Sequence, residues 1–320
     1  MFISYNLIQF GEKLKNARKE LGLSQIDIQN SAGVSVDALR RIEKGEVIPR
    51  YETLELLSAL YKQDLLELLK SSRNNKLLTE YFDELDGLMT SYDEKRMKIL
   101  EDDIRKSFTN DDRSSIVNPN EVIQFLLLIR GTNLYYSRIS GDQVDAKNIL
   151  LDAIRLTIPS FKINEFRTYN YSYIELRILL FLSILTAQND QVELSNDILY
   201  FILDRLRNSS TSKYLSHLII KIYSNLSYNY HLIDNHIKVI EICDECISYC
   251  LRQETTYGLF LLYYRKGIAE FLLKRETYIE TLYSSFFLLK ITNNQNLLDI
   301  YLEVTKQTYN IDIDISPFNS

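Results

Sequence analysis

GLSQIDIQNSAGVSVDALRRIEKG, residues 22–45, holds two short apolar-periodic segments on either side of a single glycine, each opened by a serine. Ser24 followed by Asp27 is a capping-box pattern, and Ser35 stands as an N-cap before the apolar pair Leu39 and Ile42. Gly22, Gly33 and Gly45 sit where helices stop. The spacing predicts helices over 24–32 and 35–44. Both are too short to stand alone, so flanking segments must supply a core. Helical periodicity at 8–21, 51–61 and 64–70 provides it, with Pro49 ending the third helical region.

Two short helices set at a steep angle by the Ala32–Gly33 turn make a helix-turn-helix, with Ile28, Ala32, Val34, Leu39 and Ile42 as its inward face. Outward from this unit, residues 71–106 read as a polar break followed by amphipathic helix, and 107–120 (SFTNDDRSSIVNPN) as the most loop-like stretch of the chain. From 121 onward long apolar-periodic helices alternate with polar turns at 141–142, 189–190, 234–235 and 275–276. Turns recurring every 40 to 50 residues imply helix pairs that bury their apolar faces by stacking on their neighbours. In the unit at 258–289, Gly267 and Ala269 are expected to be small so that two helices can approach. The organisation is thus 1–70, 71–120 as linker helix and hinge, and 121–320 as helical repeats.

The totals agree with an all-α chain. Of 320 residues, 46% are hydrophobic and 25% charged, with only 9 Gly and 4 Pro. A net charge of -6 excludes a chain-wide nucleic-acid footprint. Residues 1–72 carry ten Lys/Arg and ten Asp/Glu, which leaves the acidic excess in the remainder. The N-terminus lacks the features of a signal peptide, and the longest apolar run, 178–187, reaches about half a bilayer span and reads as a buried helix. A cytoplasmic protein with no membrane contact is expected. Cys243, Cys246 and Cys250 share one helical face and read as small buried hydrophobes. His217, His231 and His236 are spaced unsuitably for metal binding. No nucleophile elbow, P-loop or HExxH is present, so neither an enzyme nor a cofactor is expected.

Residues 10–62 resemble the Cro/phage-repressor (XRE) helix-turn-helix family. The likeness is carried by Arg18, the GLSQ entry to the second helix, Gly33-Val34-Ser35 before the third, Arg41-Ile42-Glu43-Lys44-Gly45, and Pro49. It implies a five-helix lambda-repressor-like domain that binds double-stranded DNA as a homodimer on a palindromic operator. By the same likeness Arg18 and Glu43 form an ion pair tying the first helix to the end of the third. Gln25, Ser35, Arg40, Lys44 and Arg50 are phosphate candidates, and Val36, Asp37 and Arg41 map to base-reading positions. These residues also admit a plainer reading, with Asp37 in a helix first turn for dipole reasons and Arg41 paired to an acidic neighbour. Gln29 departs from the small residue usual there, which bears on the angle between the two helices.

A small DNA-binding unit joined to a TPR-like α-solenoid resembles the RRNPP group of peptide-sensing regulators of Gram-positive bacteria. The likeness rests on residues 221–250 and 261–280. It implies quorum sensing, in which a short signalling peptide binds the concave face of the repeats through asparagines aided by aromatic and charged side chains. Carried over by position, Asn225 matches a clamp asparagine, with Asn229 one turn further on, Tyr228 beside them, Lys221 for a peptide carboxylate, and Tyr264 and Arg265 in the next repeat. The preceding inner helix offers only Ser183. The stripe Tyr257, Phe260, Tyr264 suits a core as well as a groove. Two other readings stay open: a ligand-independent repressor, and an interaction scaffold whose repeats serve only dimerisation or partner binding.

Overall fold

Three of the polar turns predicted above, at 189–190, 234–235 and 275–276, have a local cause, and helices run between them. The computed structural model describes residues 6–72, 76–91, 94–110, 119–136, 142–207 and 213–314. Among these there are sixteen α-helices, one short 3-10 helix and no strand. They divide into two compact units, Met1–Pro159 and Ser160–Ser320.

The first unit opens with α1 (Leu7–Glu20), α2 (Gln25–Ala32), α3 (Val36–Glu43), α4 (Tyr51–Tyr61) and α5 (Leu65–Ser71), within two residues of the boundaries read from sequence. Their core is one cluster: Phe10 and Leu14 of α1, Ile28 of α2, Leu39 and Ile42 of α3, Leu54 and Leu57 of α4, and Leu65 of α5. The expected inward face is in place, with Ala32 only partly buried. Burial of each such side chain contributes about 1.5–3 kcal/mol, which is how two eight-residue helices persist.

The capping expectations hold. Asp27 N–H donates to Ser24 Oγ (3.1 Å) and Ser24 N–H to Asp27 Oδ2 (2.7 Å), closing the capping box. Gly33 ends α2 in the left-handed region at φ 69°. Close approach matters at Gly11, where a Cβ would lie 2.5 Å from the Glu43 carbonyl oxygen. α1 therefore rests directly on the backbone at the end of α3.

The amphipathic stretch after residue 71 is two helices, α6 (Lys76–Ser91) and α7 (Glu94–Asn110). α7 carries the first part of the expected loop, since 107–110 are helical; residues 111–118 lie outside the described residues. α8 (Pro119–Tyr136) packs between α7 and α9 (Asp142–Arg155). The turn expected at Gly141 falls outside the described residues, although α9 begins at Asp142. α8 and α9, read as the start of the repeats, sit in the first unit.

The second unit begins with an aromatic segment and 3-10 helix at Ile163–Thr168 that the sequence reading did not anticipate. Then come α10 (Tyr173–Gln188), α11 (Val192–Arg207), α12 (Lys213–Leu232), α13 (His236–Arg252), α14 (Leu259–Leu272), α15 (Tyr278–Ile291) and α16 (Gln295–Tyr309). α10, α12 and α14 lie side by side as one layer. α11, α13 and α15 each pack on the helices before and after them. The polar turns close on Asp190, Asp234 and Lys274, each at positive φ, so short connections reverse the chain. Gly267 does what was expected of it: a Cβ there would fall 2.8 Å from the Leu282 side chain, so α14 and α15 meet closely. The apolar run at 178–187 is buried except for half-buried Ile184. All three cysteines are free and buried on one face of α13. Among the described residues no helix is long and apolar enough to cross a membrane, and no three His, Cys, Asp or Glu side chains gather as a metal site.

Candidate functional site

The helix-turn-helix is held in one geometry by a buried polar cluster. Arg18 donates from Nε to Glu43 Oε1 (2.6 Å) and from Nη2 to Oε2 (3.0 Å), and from Nη1 to the Leu23 carbonyl (2.8 Å). The pair is almost fully buried, at 8% and 6% exposure, and joins α1, the α1–α2 turn and the end of α3. The hydrogen bond to Glu43 raises the Arg18 pKa above its ordinary value, with burial acting against it. Gln29 adds a second tie: its Oε1 accepts from Val36 N–H at 3.1 Å. The larger residue at this position therefore caps the first turn of α3 from α2 while remaining exposed.

Around this frame the structure brings most of the expected DNA-facing residues to one exposed stretch. Asp37, Arg40, Arg41, Lys44 and Arg50 are exposed and Val36 is half-buried. Arg40 pairs with Asp37 (2.7 Å), while Arg41 (4.0 Å) and Lys44 (3.8 Å) lie near Glu46. The Arg40 pKa is raised, first by its hydrogen bond to Asp37. Exposed pairs of this kind are weak and exchange readily for a phosphate. Two expectations change in detail. The Gln25 amide nitrogen, expected to reach a phosphate, instead donates to Glu43 Oε2 at 2.9 Å, leaving the start of α2 to present backbone N–H groups. The Ser35 hydroxyl accepts from Ala38 N–H at 3.2 Å as the α3 cap.

In the repeats, four of the six expected ligand-binding residues come together. Lys221, Asn225 and Tyr228 run along α12 at i, i+4 and i+7, half-buried, half-buried and exposed. Arg265 reaches them from α14. Its Nη1 donates to the Ser224 carbonyl and to Ser227 Oγ (3.0 Å), and its guanidinium lies over the Tyr228 ring, 5.0 Å from the centroid. Asn225 donates from Nδ2 to the Lys221 carbonyl at 2.8 Å, along its own helix.

The other two do not join this face. Asn229 is 3% exposed, closed between α11 and α12, where its Nδ2 donates to Ser195 Oγ and Asn196 Oδ1, both at 2.9 Å. Each i+4 step advances about 40° round the helix, so Asn229, two such steps from Lys221, has drifted toward α11, where a buried amide must find partners. Tyr264 is 7% exposed, accepts from Thr305 Oγ1 (3.1 Å) and packs edge-on against Tyr301 and Phe286. Ser183 is likewise buried and donates to the Leu180 carbonyl.

The sequence reading also missed two clefts. One, of about 280 Å³, is lined by Tyr171, Tyr173, Arg205 and neighbouring leucines. The other, of about 320 Å³, lies along Arg167, Tyr200, Phe201 and Arg207. The available signal was the aromatic run 169–173 (YNYSY) followed by DRLR at 204–207. Missed too was the parallel stack of His217 on Tyr257, with centroids 3.8 Å apart and planes at 8°. It brings residues 40 positions apart in sequence into contact.

Comparison with known proteins bears on the N-terminal domain and on the fold. Residues 14–68 match the family model HTH_3, helix-turn-helix. Over 66 residues, 21% of this chain, the sequence is 33% identical to the cryptic phage CTXphi transcriptional repressor RstR of Vibrio cholerae. The matched part is 60% of that repressor's length. The fold is similar to that of Bacillus thuringiensis PlcR in complex with the peptide PapR7 and DNA, with a TM-score of 0.66 and 17% identity over 91% of this chain and 99% of that one. It is also similar to ComR from S. thermophilus in complex with DNA and its signalling peptide ComS, with a TM-score of 0.60 and 13% identity over 94% of this chain and all of that one.

Proposed function

We propose that this chain, an XRE-type helix-turn-helix domain joined to a helical repeat domain, is a cytoplasmic DNA-binding transcription regulator that acts as a homodimer on a palindromic operator and answers to a short signalling peptide. In this reading residues 1–70 contact DNA, 71–120 connect, and 121–320 dimerise and sense. The observation that carries it is the pairing, in one chain, of an outward-facing α3 rich in cations with a ready polar face on α12 and α14.

On DNA, Val36 to Lys44 enter the major groove. Val36 offers apolar contact to a thymine methyl, Arg41 a fork for guanine, and Asp37 an acceptor for a cytosine amine. Ser35, Arg40, Lys44 and Arg50 fix register on phosphates, and the backbone at Gln25 does so from α2. In the repeats, the Asn225 amide supplies donor and acceptor to a peptide bond while Tyr228 gives apolar area and Lys221 and Arg265 give charge. A peptide bound better by one packing of α12 on α14 shifts the population between placements of the paired DNA-binding domains.

The experiment is fluorescence anisotropy of the full-length protein on duplexes tiled across the region upstream of its own gene, with peptides encoded beside that gene added. Specific binding is expected, weakened about 40-fold per protomer between about 50 and 200 mM salt with three cations, Arg40, Lys44 and Arg50, on phosphates. A peptide-dependent shift in operator affinity supports sensing. Specific binding that no peptide alters favours a ligand-independent repressor, and the absence of specific binding refutes the regulator reading.

A further inference from the structure

Asp37 stands in the first turn of α3, on backbone that is tied from two sides. Ser35 Oγ accepts from Ala38 N–H at 3.2 Å, and Gln29 Oε1 of α2 accepts from Val36 N–H at 3.1 Å. Its side chain is held as well. Arg40, one turn on, donates from Nη2 to Asp37 Oδ1 at 2.7 Å, in the favourable order of an acid three residues before a base. The helix N-terminus, with its partial positive charge, compensates the same carboxylate from the backbone. A carboxylate compensated twice can approach phosphates that would otherwise repel it.

The neighbouring cations are held more loosely. Arg41 Nε and Lys44 Nζ lie 4.0 and 3.8 Å from Glu46, beyond hydrogen-bond length, and leave it readily for DNA. Arg40 has no need to leave. A guanidinium carries several N–H donors in one plane, and the bond to Asp37 uses a single one on Nη2, so others remain for a phosphate. Asp37 Oδ2 in turn accepts no hydrogen bond among the described residues. With side-chain exposures of 51% for Arg40 and 67% for Asp37, both outer ends of the pair are open to DNA. In the major groove the base-edge donors are the amines of cytosine and adenine, and adenine sets its amine beside the N7 acceptor, which repels a carboxylate. Cytosine is the base that suits Oδ2.

We infer that Arg40 is a positioning residue for base readout: it stays paired with Asp37 on DNA, bridges that carboxylate to a phosphate and aims Oδ2 at the amine of a cytosine. The inference rests on the DNA-binding reading proposed above and adds a role in sequence preference to the phosphate contact given to Arg40 there. A phosphate contact alone is blind to sequence, and its loss weakens all duplexes alike. Asp37 without Arg40 keeps its charge but loses its orientation and its shield from the backbone, so the base pair opposite it is no longer distinguished.

The test is selection from randomised DNA duplexes by the full-length wild-type protein, Arg40→Gln, Asp37→Ala and the double variant, with the bound fraction sequenced and circular dichroism checking that each variant is folded. The wild type is expected to prefer cytosine about tenfold at one position, identified as the position that Asp37→Ala flattens. Arg40→Gln is expected to bring the preference at that same position below about threefold and to leave the others in place, while affinity falls overall with a salt slope smaller by about 1. Adding Arg40→Gln to Asp37→Ala should change no base preference. Three results overturn this inference and leave DNA binding standing: cytosine preference retained in Arg40→Gln, preference lost at all positions alike in folded Arg40→Gln, or no position altered by Asp37→Ala. Enrichment of no sequence by the wild type overturns the regulator reading and this one with it.

Discussion

Glu43→Ala removes the acceptor at the centre of the N-terminal domain. The carboxylate takes three hydrogen bonds, from Arg18 Nε at 2.6 Å, Arg18 Nη2 at 3.0 Å and Gln25 Nε2 at 2.9 Å. Without it the Arg18 guanidinium stays buried with the Leu23 carbonyl as its other recorded acceptor. Breaking one side of a buried pair costs about 3–5 kcal/mol, because the remaining charge is left uncompensated. At about 1.4 kcal/mol per decade this multiplies the opening equilibrium of the domain about 10²- to 10⁴-fold. Hydrogen exchange of the full chain followed by mass spectrometry reads that factor directly, as faster exchange in peptides from α1 and α3 with α12–α14 unchanged. The paired replacement Arg18→Met with Glu43→Leu should recover most of the loss, since apolar side chains need no counter-charge. Acceleration below about tenfold in Glu43→Ala, equivalent to less than about 1.4 kcal/mol, would refute the claim that this pair holds α3 against α1.

Three further outcomes follow from the same geometry. Asn229→Ala should destabilise the repeats by about 1–3 kcal/mol in urea unfolding, because Ser195 and Asn196 lose their shared partner, whereas Asn225→Ala should leave stability within about 0.5 kcal/mol and alter only ligand binding; equal effects of the two would contradict their placement. Burial, His236 and Arg265 lower the His231 pKa below its ordinary 6.5, with Asp234 opposing, and the Tyr309 hydroxyl lies 3.4 Å from its Nε2. The unfolded chain then binds the proton more tightly than the folded one. The contribution is complete above about pH 6.5 and lost as pH falls through the depressed value, so His231→Gln should flatten the decline in Tm between about pH 7.5 and 5.5; an unchanged slope counts against it. Finally, the Tyr61 hydroxyl is buried with no hydrogen-bond partner among the described residues, and its pKa is pushed up to about 12, mainly by burial. Tyr61→Phe should therefore be neutral or stabilising by up to about 1 kcal/mol, and a clear loss of stability would show that the hydroxyl has a partner.

What the sequence determined by itself was local. Ser24, Gly33 and Ser35 fixed where α2 and α3 begin and end, since caps and left-handed turns act over four residues, and the apolar period fixed which faces turn inward. The positions of Gly267 and of the polar turns followed from the same short-range rules. Tertiary structure decided the rest. Asn225 and Asn229 are the same residue type one helical turn apart, and only the packing of α11 on α12 makes one half-exposed and the other an internal tie. Gln25 was free to face a phosphate until Glu43, 18 residues on, came within 2.9 Å. The Arg265–Tyr228 and His217–Tyr257 pairs join α12 to the following repeat across 37 and 40 residues. No periodicity in a single helix encodes such a meeting; it depends on how far one helix is rotated and shifted against the next, which the summed packing of the whole unit sets.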